Sequence, residues 1–208
     1  MNTDHLERGW DDAVALFERR GLPESSYENL YEEPYDILPG PVTITGELDL
    51  DTAETSGTGI VVDGDLTVGG TVFNLDDGCP ALVVLGDLRA ANVYLEGDAR
   101  LLVLGSVLVD AFIGHTTDKL VMIHGDLRTR VTVLSGEFAP DLVGGTLHGA
   151  VLAPAYLDLA QDTDPASVLV PEVLRADGEE CPRGFDAPRA HGGRLLSRLD
   201  EGLPVVLG

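Results

Sequence analysis

Residues 82–89 read Leu82-Val83-Val84-Leu85-Gly86-Asp87-Leu88-Arg89, and a variant of this phrase returns about every 20 residues. Its centre recurs as Gly46-Glu47-Leu48, Gly64-Asp65-Leu66, Gly86-Asp87-Leu88, Gly105-Ser106-Val107, Gly125-Asp126-Leu127 and Gly145-Thr146-Leu147. The spacings are 18, 22, 19, 20 and 20 residues. Two residues before the glycines stand Ile44, Val62, Val84, Val103, Ile123 and Val143. Four before them stand Val42, Ile60, Leu82, Leu101, Val121 and finally Asp141. Apolar residues at even offsets on both sides of a glycine are period-2 alternation, the mark of strands with one buried face. A second apolar group follows in each copy (Val72, Val93, Phe112, Val131, Val151). Each copy therefore supplies two or three short strands, with glycine relieving the bend at the corners.

Coils of this length, stacked at strand spacing, make a mainly β fold: a single-stranded parallel β-solenoid of about six coils, about 29 Å long. No interval between copies has the 3.6-residue period that a doubly wound α/β fold requires. The uneven spacing lacks the strict six-residue beat of a left-handed hexapeptide helix, so a right-handed or irregular solenoid is expected.

The flanks read as caps on one domain: residues 1–40 as an N-terminal helix and acidic wrap, 41–153 as solenoid, 154–208 as a C-terminal cap. Thr3 to Arg20 is expected to be an amphipathic helix with Thr3 as N-cap, the stripe Leu6, Trp10, Val14, Phe17, and Gly21 as its stop. Such a helix would close the first coil, whose open end would otherwise expose core and strand edges. Residues 24–36 are acidic, carry Tyr27, Tyr31 and Tyr35, and are expected to wrap or extend. Residues 194–201 read as a short helix bearing Leu195, Leu196 and Leu199, and 204–207 as a possible last strand.

Thirty-six acidic against 13 basic residues give a formal net charge of −23. That disfavours nucleic-acid backbones and anionic membranes, and favours a basic protein partner; solubility or halophilic adaptation is the competing reading of the same acidity. No leading apolar stretch resembles a signal peptide and no run of 18 apolar residues offers a membrane span, so the expected location is cytoplasmic. Cys79 and Cys181 form no CxxC motif and fit a reducing compartment, the alternative being one long-range disulfide.

Little points to chemistry. Glu47, Asp65, Asp87 and Asp126 should stack in a line, whereas calcium needs ligands converging on a point, so the aspartates are expected to accept backbone N–H groups at corners. His115, His124 and His148 occupy three different columns, and no metal or cofactor is expected. Nucleophile-elbow, dinucleotide and Walker patterns are missing. The outward positions are more informative. Val83, Leu85, Leu102, Leu104, Met122 and Leu142 form an apolar strip that something must cover. Either a terminal helix packs on it, or it is a protein–protein or self-association face, which would make a homo-oligomer. Arg89 and Arg128 could pair with Asp87 and Asp126 across coils.

The phrases at 82–90, 101–105 and 120–127 resemble a family of bacterial β-solenoid proteins with an "LxVxGDLxA" refrain and, more distantly, the bactofilin-type polymer-forming proteins. Members of such families often occur near polymorphic toxins, so the resemblance implies an immunity or accessory role. The expected function is a non-enzymatic acidic protein-binding module, an immunity protein occluding a basic toxin domain. Its expected surface is Tyr27, Glu28, Tyr31, Glu32, Glu33 and Tyr35 with Asp65, Asp87 and Asp126. The alternatives are a bactofilin-like structural polymer and, more weakly, a solenoid-groove enzyme or carbohydrate binder.

Overall fold

Alternating side chains on a strand can bury one row only if a second strand layer faces it, and here the chain meets that need by winding around itself. A computed structural model describes residues 6–53, 58–176, 178–180 and 184–208. The described chain opens with strand β1 (Leu6–Arg8), helix α1 (Trp10–Arg20) and the one-turn helix α2 (Glu24–Tyr27). Six coils follow. The first holds β2 (Tyr35–Pro39), β3 (Val42–Ile44) and β4 (Leu48–Asp49), and the second β5 (Gly59–Asp63), β6 (Leu66–Val68) and β7 (Thr71–Asn74). The third holds β8 (Ala81–Val84), β9 (Leu88–Arg89) and β10 (Asn92–Leu95), and the fourth β11 (Arg100–Val103), β12 (Val107–Leu108) and β13 (Ala111–His115). The fifth holds β14 (Leu120–Ile123) and the long β15 (Leu127–Ser135); the sixth, β16 (Leu142–Val143) and β17 (Leu147–Leu152).

Corresponding strands of successive coils pair in parallel, giving a three-faced β-solenoid. One face is a seven-stranded sheet ordered β1-β2-β5-β8-β11-β14-β16. The other two join into one ten-stranded sheet because β15 runs through their shared corner. The inward column Leu38, Val62, Val84, Val103, Ile123 meets Val42, Leu66, Leu88, Val107, Leu127 and Val72, Val93, Phe112 in one apolar core along the axis.

The first coil is offset from its expected place. Leu66 pairs with Val42, and Val72 with Leu48, so the first copy of the corner phrase is Gly40-Pro41-Val42. Gly46-Glu47-Leu48 belongs to the next corner, and Thr43 lies on the second face beside Thr67. Both corners take a glycine followed two residues later by an apolar side chain, so spacing alone could not separate them. Correspondingly the solenoid begins at Tyr35, because β2 already pairs in parallel with β5.

The corner glycines have a different reason from the one expected. Gly86, Gly105 and Gly125 do not have the positive φ that only glycine adopts freely. A Cβ on Gly105 would instead collide with Asp87 Oδ1 and the Gly86 backbone, and one on Gly125 with Ser106 Oγ and the Gly105 backbone. Close approach of successive coils, not bending, demands glycine here.

The terminal segments cover two faces of the prism. Helix α1 starts at Trp10, not Thr3, since Gly9 is its extended N-cap and residues 6–8 instead pair antiparallel with β2. Thr3 lies outside the described residues. Gly21 ends the helix with φ 81°, as a left-handed C-cap should. The helix does not close the rod end, as expected from sequence, but lies along the first face. There Ala13, Leu16, Phe17, Leu22, Tyr27 and Leu30 bury Val61, Val83, Leu85 and Leu102. At that end β1 pairs with the outer edge of β2, covering the first sheet's edge. The expected apolar strip is thus covered by the N-terminal cap at Val83, Leu85 and Leu102 and partly at Leu104 and Met122, while Leu142 stays half-exposed outside it.

The third face carries a second outward apolar row that sequence reading missed: Phe73, Tyr94, Ile113, Val133 and Leu152. Over it pack the 3₁₀ turns at Pro165–Ser167 and Pro171–Val173 and helix α3 (Gly192–Asp200), through Leu169, Val173, Phe185, Leu195 and Leu199. The segment at 204–207 forms only a single antiparallel bridge, Val206 to Leu169. The second face stays bare, with Thr43, Thr67, Arg89, Arg128 and His148 exposed.

Candidate functional site

Carboxylates line two edges of the prism, and the two edges use them differently. At the edge between the first and second faces the refrain builds a ladder. Asp65 Oδ1 accepts the Asp87 N–H at 2.8 Å, and Asp87 Oδ1 accepts the Ser106 N–H at 2.9 Å. Ser106 Oγ accepts the Asp126 N–H at 3.0 Å, and Asp126 Oδ1 accepts the Thr146 N–H at 2.8 Å. Each rung ties one coil to the next, which is the expected corner role in a more regular form. The outer oxygens are also engaged. Arg89 donates to Asp87 Oδ2 at 2.9 Å and Arg128 to Asp126 Oδ2 at 2.6 Å, so both ion pairs form within a coil. Arg89 also approaches Asp65 across coils, at 3.8 Å. The Thr146 N–H, ahead of Arg128, holds the Asp126 carboxyl below the usual range. Three of the expected partner-binding carboxylates are therefore occupied by the fold.

The opposite edge, where the third face turns back to the first, is made of the loops at 75–79, 96–98, 116–118 and 137–141. Asp76, Asp77, Asp118, Glu137 and Asp141 are exposed there. A single buried cation, Lys119, sits among them: its Nζ donates to the His115 carbonyl, to Thr116 O at 3.0 Å and to Thr116 Oγ1 at 3.0 Å. Burial pushes this amine down to about 8, although Asp118, Glu96, Asp98 and Asp77 all favour its charged form. The amine also stands over the Phe138 ring, 5.1 Å from its centroid. One layer deeper, Asn74 is wholly buried and fully bonded, donating to Asp51 and the Asp76 carbonyl and accepting the Ala99 N–H. Asp98 caps the loop at 78–79. Burial pushes its carboxyl up, but the Cys79 thiol and the N–H groups of Gly78 and Cys79 outweigh that and leave it low.

The tyrosine segment ends beside this edge. Tyr31 is 45% exposed, its hydroxyl reaches Cys79 Sγ at 3.5 Å, and the Arg100 guanidinium lies 4.5 Å from its ring centroid. Glu28, Glu32 and Glu33 are exposed around it. Tyr27 and Tyr35 are not surface anchors: both belong to the N-terminal cap's core, where Phe17 and Trp10 contact them. Burial pushes the Tyr35 hydroxyl up to about 12 while it donates to the Tyr31 carbonyl. The alternation that buries Leu38 inward turns Tyr35 outward under helix α1, a consequence of the coil starting six residues earlier than expected. Cys79 is a free thiol, and Cys181 lies outside the described residues.

The histidines fall on three faces. His115 lies under the C-terminal cap, His124 under the N-terminal cap, and His148 on the bare face 3.6 Å from Asp126. Among the described residues no group of three or more His, Cys, Asp or Glu could hold a metal. His115, Ser135 and Asp186 do come together, a grouping that separations of 20 and 51 residues hid. Ser135 is wholly buried, donates to Asp186 at 2.9 Å and lies 3.2 Å from His115 Nδ1. Burial raises the Asp186 carboxyl, but Tyr156, the Gly136 N–H and Ser135 together bring it below the usual range. A hydroxyl committed to a carboxylate and shut away from solvent is placed to fasten the cap, not to attack a substrate. Beside it a cavity of about 220 Å³ is lined by Tyr94, Glu96, His115, Phe185, Gly192, Gly193 and Leu196.

Comparison with protein-family models, with curated proteins and with solved structures finds no match for this chain. Among the described residues no helix is long and apolar enough to cross a membrane.

Proposed function

We propose that this chain is a non-enzymatic acidic protein-binding module whose partner is a basic protein. The observation that carries the reading is the exposed acidic edge at 76–77, 118, 137 and 141, with Tyr31 standing beside it. Asp141 is already tied to the Val121 N–H at 2.8 Å, but Asp76, Asp77, Asp118 and Glu137 stand exposed to steer a cationic partner and set its orientation, and an aromatic ring at their margin supplies a desolvated anchor. The family resemblance gives the reading its sharper form, an immunity protein that occludes a basic toxin domain in the cytoplasm. The polymer alternative needs two open rod ends. Strand β1 occupies one sheet edge at the first end, and Gln161 Oε1 accepts the Val151 N–H at the other.

The test is co-purification with the product of the adjoining gene, for the wild type and for a Tyr31→Ala, Asp76→Lys, Asp77→Lys, Asp118→Lys variant. Loss of capture and a flattened salt dependence in the variant are expected. Unchanged capture would overturn this docking edge, and filaments of the wild type in electron micrographs would favour the polymer.

A further inference from the structure

The N-terminal cap closes over the first face with a polar contact, Ser26 to His124, set in a largely apolar interface, besides the exposed ion pair of Arg20 with Asp63. Ser26 is 2% exposed, and its hydroxyl lies 3.0 Å from His124 Nε2. The interface that they join is apolar, with Leu102, Leu104 and Met122 from the first face and Phe17, Tyr27 and Leu30 from the cap in one cluster. A neutral imidazole suits this place, since it exchanges one hydrogen bond with a hydroxyl and needs no counter-ion. His124 is itself half-buried, and an imidazolium there would be a partly desolvated charge with no ion pair to a carboxylate among the described residues.

We propose that His124 and Ser26 form an acid-sensitive clasp, so that protonating His124 releases the cap formed by α1 and α2 from the first face. The charged groups on the packed elements do not oppose this. On α1 they are Asp11, Asp12, Glu18, Arg19 and Arg20, and Arg20 is bound to Asp63 of β5 at 2.5 Å. On α2 and its C-cap they are Glu24 and Glu28, both exposed, and on β11 Arg100, stacked against Tyr31. Burial holds the ring below its usual range. The unfolded or undocked segment therefore binds a proton that the closed form refuses, and closure weakens as pH falls through about 6.5. Each unit of that depression makes opening about tenfold more favourable for the charged ring than for the neutral one. Release would bare Val83, Leu85 and Leu102, an apolar surface that the closed protein hides.

Trp10, the sole tryptophan, reports the event, for its ring lies 6.0 Å from that of Tyr35 on β2 across the interface, and 6.3 and 6.4 Å from Phe17 and Tyr27 within the cap. Between about pH 7.5 and 5.5, where carboxylates stay ionised, the wild type should show a red-shifted Trp10 emission and faster amide exchange over residues 10–30. The β-sheet circular dichroism should hold. His124→Gln, which keeps a hydrogen-bonding group without the titration, should abolish the change. An emission that is flat in the wild type, or that shifts equally in His124→Gln, would overturn the clasp. Should His124→Gln fail to fold, the ring's own titration by NMR decides the matter: a midpoint at or above 6.5, or one unlinked to Trp10, overturns it.

Discussion

The ladder edge and the loop edge carry carboxylates at the same coil spacing, yet only the second has any to spare. At the ladder, Asp65, Asp87 and Asp126 each accept the next coil's backbone N–H; Asp87 and Asp126 also bind an arginine two residues on, and Asp65 lies 3.8 Å from Arg89 of the next coil. At the loop edge, Asp51 and Asp98 do that structural work from below while Asp76, Asp77 and Asp118 remain in solvent. A row of acids in a repeat is thus no guide to function until its hydrogen bonds are counted. Charge that the fold has already used is held close to its own cations and offers a partner little.

The comparison can be broken most forcefully at a ladder glycine. Gly125→Val would drive a side chain into Ser106 Oγ and the Gly105 backbone, and should cost about 3 kcal/mol or more in a denaturant titration. At the loop edge the most damaging change should be Lys119→Met, which leaves the His115 and Thr116 carbonyls without their donor; a loss of about 2 kcal/mol is expected. This loss has a pH signature. The amine is lowered to about 8 from 10.5, so its contribution is greatest above 10.5 and fades as pH falls towards 8. Stability of the wild type measured relative to Lys119→Met should therefore rise between those values, and a constant difference would show that the amine titrates normally. Asp87→Ala removes one rung and the Arg89 partner, and should cost about 1–2 kcal/mol. The smallest effect belongs to the exposed acids: Asp76→Lys with Asp118→Lys should change stability by no more than about 0.5 kcal/mol. If that pair proves as costly as Asp87→Ala, the two edges are alike and the distinction fails.

Much of this could be read from the chain alone, and the exceptions have physical causes. Columns such as Val84, Val103 and Ile123 declare strands because alternation survives any variation in loop length. The apolar strip at Val83 and Leu102 announced a cover, and Trp10 to Arg20 supplied it. The slip at Gly46 arose because two corners obey one steric rule. The row Phe73, Tyr94, Ile113 escaped notice because it shares strands with the inward row Val72, Val93, Phe112, so continuous apolar runs masked the alternation. Tyr35 looked like a surface residue from its acidic neighbours, whereas its place on a strand decided its burial. Groupings such as His115 with Ser135 and Asp186 depend on how a terminal segment returns over a face, which no local pattern encodes.

Ser106 has a consequence for how such a rod can change over evolutionary time. It occupies the third rung among aspartates and accepts the same backbone N–H with an uncharged hydroxyl. The position selects for a short acceptor and is indifferent to ionisation. Serine at 65, 87 and 126 would remove three negative charges and keep every inter-coil bond of the ladder. Acidity and architecture are therefore separately adjustable in this molecule, and lineages carrying the same coils are free to drift from acidic to neutral along that edge without refolding.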